Sequence, residues 1–148
     1  MANDRLGMTV LSEDECLELL RGEQVGRLAV AVGTHPDIFP INYVVDGRSI
    51  VFRTLEGTKL AAAVLTPAVA FEVDGVIEAS DEAWSVVVKG RAREVEGVVE
   101  LLDALDLPLY PWQVAPKHRF VRIVPDEMSG RRFAVVDASV WTERARYV

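Results

Sequence analysis

The sequence is poor in the residues that most often carry chemistry. A single cysteine, Cys16, stands among 148 residues. That permits no intramolecular disulfide and no cysteine-based zinc site, and it fits a reducing compartment. Two histidines, His35 in a turn-like stretch and His118 at the start of an apolar run, offer little to a histidine metal centre or a serine–histidine triad. His118 reads as an exposed polar residue. No apolar run approaches the ~20 residues of a membrane span, and the first residues, MANDRLGMTV, lack the long apolar region of a signal peptide. A cytoplasmic protein that does not enter membranes is expected. Walker loops, G-x-G-x-x-G, H-E-x-x-H and nucleophile elbows are all missing, so neither a metal site nor a catalytic residue is assigned.

What is present is an ordinary globular composition. Half the residues are apolar and 26% are charged, and a chain of this length fits one domain over 1–148 that buries roughly two-thirds of its unfolded surface. The formal net charge of −7 argues against non-specific nucleic-acid binding, which needs lysine and arginine to displace counterions. Any anion site must therefore be local.

LSEDECLELLRG at 11–22 predicts a helix: Ser12 caps it, Glu15 completes a capping box, Leu11 staples against Cys16, and Gly22 stops it. From Val25, β-branched and small apolar residues take over in VGRLAVAV (25–32), DIFPINYVV (37–45) and RSIVFRT (48–54), predicting three consecutive strands. GTHPD connects the first two and Asp46-Gly47 turns the second into the third, so the pairing should be antiparallel. A short helix over about 58–65 ends at Pro67, and AVAFEVDG (68–75) and WSVVVKGRAREVE (84–96) predict further strands. GVVELLDALDLP (97–108) has helical spacing, with Val98, Leu101, Leu102 and Leu105 on one face. Beyond the proline-rich, aromatic connector LYPWQVAPKH, RFVRIVPDEM and GRRFAVVD predict two more strands, and the tail ASVWTERARYV is open between a final strand and a partner-bound segment. Seven strand-like runs with few helices predict a mainly β, α+β fold: a small antiparallel barrel with helices packed around it.

One stretch stands out against the acidic background. In FRTLEGTKLAAAV, a strand delivers Arg53 and Thr54 to its carboxyl end, Gly57 permits a tight turn, and Thr58 and Lys59 begin a helix whose first amides are unpaired. Hydroxyls, cations and free N–H groups converging on one point suit a phosphate. The alternative is that Thr58 merely caps the helix while Arg53 and Lys59 are solvated.

FPINYVV at 39–45 carries Asn42 inside an otherwise apolar strand, and the hairpin places Asn42 and Tyr43 near Arg53 across the ladder. A planar ligand laid along this hairpin, with its phosphate at Gly57–Lys59, would use both features; alternatively Asn42 bonds a neighbouring loop. Trp84, with Ser85 beside it, and Trp112 in the connector read either as packing residues or as covers for a ligand. Arg131 and Arg132 read as surface charges.

Taken in order, GRLAV, PINYVVDG, IVFRTLEGTKL, VAFEVD, WSVVVKGRAREV and VRIVPDEMSGRRF resemble the split-barrel flavin-binding proteins of the pyridoxamine 5′-phosphate oxidase-like superfamily, most of all its short flavin-nucleotide-binding branch common in actinobacteria. The resemblance covers about residues 11–133. It implies an antiparallel split β-barrel of six to seven strands, paired as a homodimer with flavin mononucleotide (FMN) in clefts at the subunit interface. It further implies that Ile41, Asn42 and Tyr43 lie along the isoalloxazine, and that Arg53, Thr54, Gly57, Thr58 and Lys59 hold the phosphate. Trp84 and Ser85 would reach the flavin from the partner subunit, and Trp112 would cover it. Similar barrels bind the deazaflavin F420, which stays open as the alternative cofactor. PINYVV and SGRRF depart from the basic and arginine–histidine motifs of the authentic oxidases, which speaks against oxidation of pyridoxamine phosphate.

The implied activity is two-electron redox chemistry on a small organic substrate, with the reaction carried by the cofactor. A non-catalytic flavin-binding or electron-transfer module is the competing class, and a cofactor-free scaffold barrel a third. A homodimer also follows from the shape of the ligand, because a flat ring system needs walls on both faces and one small barrel offers mainly one hairpin face.

Overall fold

Alternate residues of each apolar run point to a common interior, as a half-buried strand requires. Leu28 and Val30, Ile41 and Tyr43, Ile50 and Phe52, Phe71 and Val73, and Val86 and Val88 are all buried in one cluster. A computed structural model describes residues 8–55, 58–64, 68–109 and 118–135. Within them the strands are β1 (Met8–Leu11), β2 (Val25–Val32), β3 (His35–Asp46), β4 (Ser49–Leu55), β5 (Ala68–Ile77), β6 (Glu82–Glu94) and β7 (His118–Ala134). The helices are α1 (Glu13–Arg21), α2 (Lys59–Ala63) and α3 (Val98–Leu105). Every pairing is antiparallel. The order is β1-β7-β4-β3-β2-β5-β6, and β6 returns to pair with β7. Six strands thus close into a barrel, and β1 extends it along the second half of β7. Among the described residues no helix is long and apolar enough to cross a membrane.

Local chemistry places the elements. Ser12 Oγ accepts from the Glu15 amide and Glu15 Oε1 from the Ser12 amide, the reciprocal box that the sequence predicts for α1. Gly33 and Gly47 take positive φ of 62° and 60°, giving two-residue turns from Val32 to His35 and from Asp46 to Ser49. The first turn is tighter than the predicted GTHPD connection, and it draws His35 and Pro36 into β3.

Two further expectations change. The two predicted runs on either side of Ser129 form one strand, β7, as far as Ala134, because the breaker Pro125 sits at a bulge where Lys89 pairs with Glu127 and Gly90 with Pro125. A Cβ on Gly90 would lie 2.2 Å from the Val124 carbonyl oxygen, so the close approach of β6 and β7 at the bulge needs glycine. In α3 the predicted apolar stripe faces outward: Val98 is 75% and Leu105 59% exposed, whereas the small Ala104 is buried. Ala104 packs with Val51, Val95, Leu109 and Phe120 in a second cluster outside the barrel.

The barrel is split between β3 and β4. β3 pairs with β2 over His35–Asn42, but with β4 only over Tyr43–Asp46. The Tyr43 amide donates to the Gln24 carbonyl on the β2 side, so by strand alternation the N–H positions of even-numbered β3 residues face β4. Pro36 and Pro40 occupy two of these and have no N–H. The amide at a third, Ile38, donates to the Asp37 carboxylate. With its donors removed or occupied, this edge cannot continue the ladder, and β4 leaves β3 after Phe52. α2 lies at the opening, with Leu60 and Val64 packed against the core.

Candidate functional site

β4 carries Arg53 and Thr54 just past the last β3–β4 pair, Tyr43 with Phe52. The strands part at that pair, so Asn42 of β3 and Arg53 of β4 are the first residues on either side of the opening. On its other side β4 is held by β7, with Arg53 opposite Phe120 and Thr54 opposite Arg119. Alternation sends Thr54 to the barrel interior with Phe52, and Arg53 to the outer face with Val51.

Arg53 and Thr54 supply the clearest chemical signal in the described molecule. The Arg53 guanidinium lies 4.6 Å from the centroid of the Phe120 ring, and its Nη1 donates to the Leu109 carbonyl at 3.4 Å. Its Nε is buried and has no hydrogen-bond partner. Thr54 is 3% exposed, and its hydroxyl is likewise buried without a partner. Such atoms cost about 1–3 kcal/mol each, and among the described side chains these two alone are left so, on adjacent residues.

The other predicted residues have settled roles. The Thr58 hydroxyl accepts from the Ala61 amide at 3.1 Å, which is the capping alternative, and α2 is only five residues long, so its contribution to an anion site is small. Lys59 lies 3.7 Å from Asp37 with its side chain 86% exposed. This pair spans the split from α2 to β3. Solvation thus describes Lys59 well and Arg53 poorly.

Ile41 and Tyr43 are buried in the barrel. The Tyr43 hydroxyl donates to the Leu20 carbonyl at 2.6 Å, its ring meets Phe71 edge-on, and burial pushes the phenol well above its usual range. Tyr43 therefore turns its amide to the β2 side and keeps its phenol inside the barrel. Asn42 is half-buried on the outer face, beside Val25.

Trp84 is 4% exposed and packs within its own barrel, where its ring takes the space that a side chain at position 75 would need. Ser85 is its neighbour on β6, opposite Asp74 and Arg131. Trp84 pairs with Arg132, near the far end of β7 from Phe120. Within one chain, then, Trp84 and Ser85 are not brought to the split. Gly57 and Trp112 lie outside the described residues. Arg131 is exposed, and Arg132 pairs with Glu82 at 3.1 Å.

Sequence reasoning missed Phe120, Leu109 and Asp37, which shape the site. Asp37 carried the only local hint, an acid two residues from Phe39 in a strand otherwise prepared for a ligand. A shallow groove of about 520 Å³ opens elsewhere, over Ala29, Ala31, Ala68, Ala70 and Gly90, and meets the split edge of β3 only at Pro36. No group of three or more histidine, cysteine, aspartate or glutamate side chains able to hold a metal occurs among the described residues.

A closed six-stranded antiparallel barrel, opened between two strands beside a half-buried arginine and a buried threonine, defines a split-barrel protein with an anion-competent strand end. The chain belongs to the family described as pyridoxamine 5′-phosphate oxidase, which it matches over residues 12–132. It is similar to the FAD binding protein of Mycobacterium smegmatis, with 42% identity, 84% of this chain and 99% of that one covered, and a TM-score of 0.76. A Corynebacterium glutamicum structure, provisionally named a pyridoxamine 5′-phosphate oxidase, is 40% identical over 93% of this chain and 98% of its own, with a TM-score of 0.81. An uncharacterized protein of Mycobacterium tuberculosis is 43% identical over 90 residues, 61% of this chain and 80% of that protein.

Proposed function

We propose that the chain binds a flavin nucleotide at the split and acts as a flavin-dependent oxidoreductase. The observation that carries this reading is the adjacent pair of partnerless buried atoms, Arg53 Nε and Thr54 Oγ1, at a strand end whose β3-facing edge is open. Their side chains leave β4 on opposite faces, so a group that serves both must lie against that edge, and a phosphate has acceptor oxygens to offer in several directions. Arg53 and Thr54 would hold the phosphate. Lys59 would add long-range charge, and Ile41 and Asn42 would border the ring system. The residues present fit a flavin nucleotide.

When bound, the flavin supplies two-electron chemistry. The chain's own part is to fix the phosphate, to keep water from the inner face through Ile41, Phe52 and Leu60, and to keep the Tyr43 phenol proton in its bond to the Leu20 carbonyl, away from any reaction. Kinship with an FAD binding protein at 42% identity favours a flavin over F420 and supports FAD beside FMN as the ligand. The reading includes a homodimer in the cytoplasm, in which a second copy closes the open side of the split.

Titration with FMN, FAD and F420, followed by absorbance, together with mass spectrometry of whatever heat releases from the purified protein, tests the assignment. Binding of FMN or FAD supports it. Binding of F420 alone moves the protein to the deazaflavin-dependent reductases, and binding of none of the three removes the reading.

A further inference from the structure

α3 is attached to the barrel in an unusual way for so apolar a helix. Its large side chains face solvent and Ala104 alone is buried. The attachment is ionic: Glu100 Oε1 lies 2.9 Å from Arg93 of β6 and 3.4 Å from Arg122 of β7. The Arg122 side chain is 13% exposed, and its Nη1 also reaches Asp46 at 2.8 Å and the Ser49 hydroxyl at the base of the β3–β4 hairpin. Four elements, β3, β4, β6 and β7, are thereby tied to one carboxylate on α3. Ion pairs of this kind contribute little when solvated, but a network around a mostly buried arginine holds geometry well.

From Glu100 the chain runs to Leu109 without slack. The Leu107 amide donates to the Ala104 carbonyl at 3.2 Å, and the Leu109 amide to the Leu107 carbonyl at 2.7 Å, with Pro108 between them fixing φ. The Leu109 carbonyl then accepts from Arg53 Nη1, and the Leu109 side chain is buried against the cluster that includes Phe120, the ring beneath the same guanidinium.

We propose that Glu100 is a positioning residue: held by Arg93 and Arg122, it sets the Leu109 carbonyl and through it the orientation of the Arg53 guanidinium, so that Nε is presented to the ligand. The inference rests on Arg53 serving as the phosphate holder, yet its structural half stands apart from ligand identity. Among the described residues the guanidinium has one hydrogen bond that fixes its rotation, and the segment that follows α3 supplies the acceptor. Loss of the Glu100 charge frees α3 to shift over the barrel and the guanidinium to turn.

The test uses the full chain with Glu100→Gln, Arg53→Gln and both together, and FMN as the probe. In Glu100→Gln the Arg53 Nε–H resonance, identified by its disappearance in Arg53→Gln, should move or broaden in the ligand-free protein, and FMN affinity should fall about 3- to 10-fold. In the Arg53→Gln background the same change should alter FMN affinity less than about 2-fold. Riboflavin, which lacks the phosphate, should respond to neither. An unmoved Nε–H resonance in folded Glu100→Gln overturns the inference, as does an equal loss of FMN affinity in both backgrounds. Wild type that fails to bind FMN sinks the flavin reading, while the resonance still decides the positioning role. Arg93→Gln, at a half-exposed side chain, gives the same readout in the same direction if Glu100→Gln does not fold.

Discussion

At the scale of single residues, Thr54 separates folding from function. Its hydroxyl is buried with no partner, so replacing it by valine, which has the same shape, removes an unsatisfied group at little packing cost. Thr54→Val should stabilise the ligand-free protein by about 1–2 kcal/mol, a rise in Tm of roughly 2–8 °C for a chain of this size, while weakening flavin binding. Thermal unfolding with and without FMN reads both effects, and a valine variant that melts lower and binds as before would mean that the hydroxyl serves the fold. Tyr43 is the opposite case, a polar group spent on stability. Its burial holds the folded phenol above the unfolded value of about 10, so its contribution is complete below about pH 10 and is lost as pH rises toward the folded value. Tyr43→Phe should cost about 1 kcal/mol near neutral pH through loss of the bond to Leu20, and its denaturant stability should fall less steeply than wild type between about pH 9 and pH 11. Parallel alkaline curves would show that the phenol titrates alike in both states.

At the scale of elements, the split depends on the edge of β3. Pro36→Val with Pro40→Val restores two N–H groups facing β4, so the β3–β4 ladder should lengthen, the amide of Arg53 should exchange more slowly with solvent, and flavin affinity should drop. Unchanged exchange would place the cause of the split elsewhere, in α2. The same prolines show how the sequence conceals part of the fold. Pro36 reads as turn chemistry because GTHPD looks like a loop from within, and only the two-residue turn at Gly33 and the pairing of Ala31 with Pro36 reveal an edge position. α1 is legible because Ser12 and Glu15 complete each other within four residues, and β2 because β-branched and small apolar residues fill VGRLAVAV. β1 escapes because four residues carry no period of their own and acquire a role only beside β7. Spacing locates an apolar face on α3, but not what lies opposite it, and here the barrel receives Ala104 while Val98 meets solvent. In the site, Arg53 and Thr54 are readable as a cation and a hydroxyl at a strand end. Phe120 and Leu109 become neighbours of Arg53 only when β7 and the segment after α3 return to β4.

At the scale of the whole molecule, a flat cofactor in a cleft open on one side asks for a second wall. The protein should therefore elute at twice its chain mass at micromolar concentration, and flavin affinity should fall on dilution into the monomer range. A monomer with full affinity would require one barrel to enclose the ring alone. The net charge of −7 sharpens the central point, because an anionic ligand gains little from the protein's overall field and must be held by local groups. The most direct measurement is a titration of FMN into wild type, Arg53→Gln and Lys59→Ala, followed by flavin fluorescence. Wild type should bind, Arg53→Gln should lose about 10- to 150-fold, as removal of a charge-assisted bond implies, and Lys59→Ala, an exposed partner of Asp37, should lose less than about 5-fold. Arg53→Gln binding as tightly as wild type would contradict the account, whatever the colour of the purified protein.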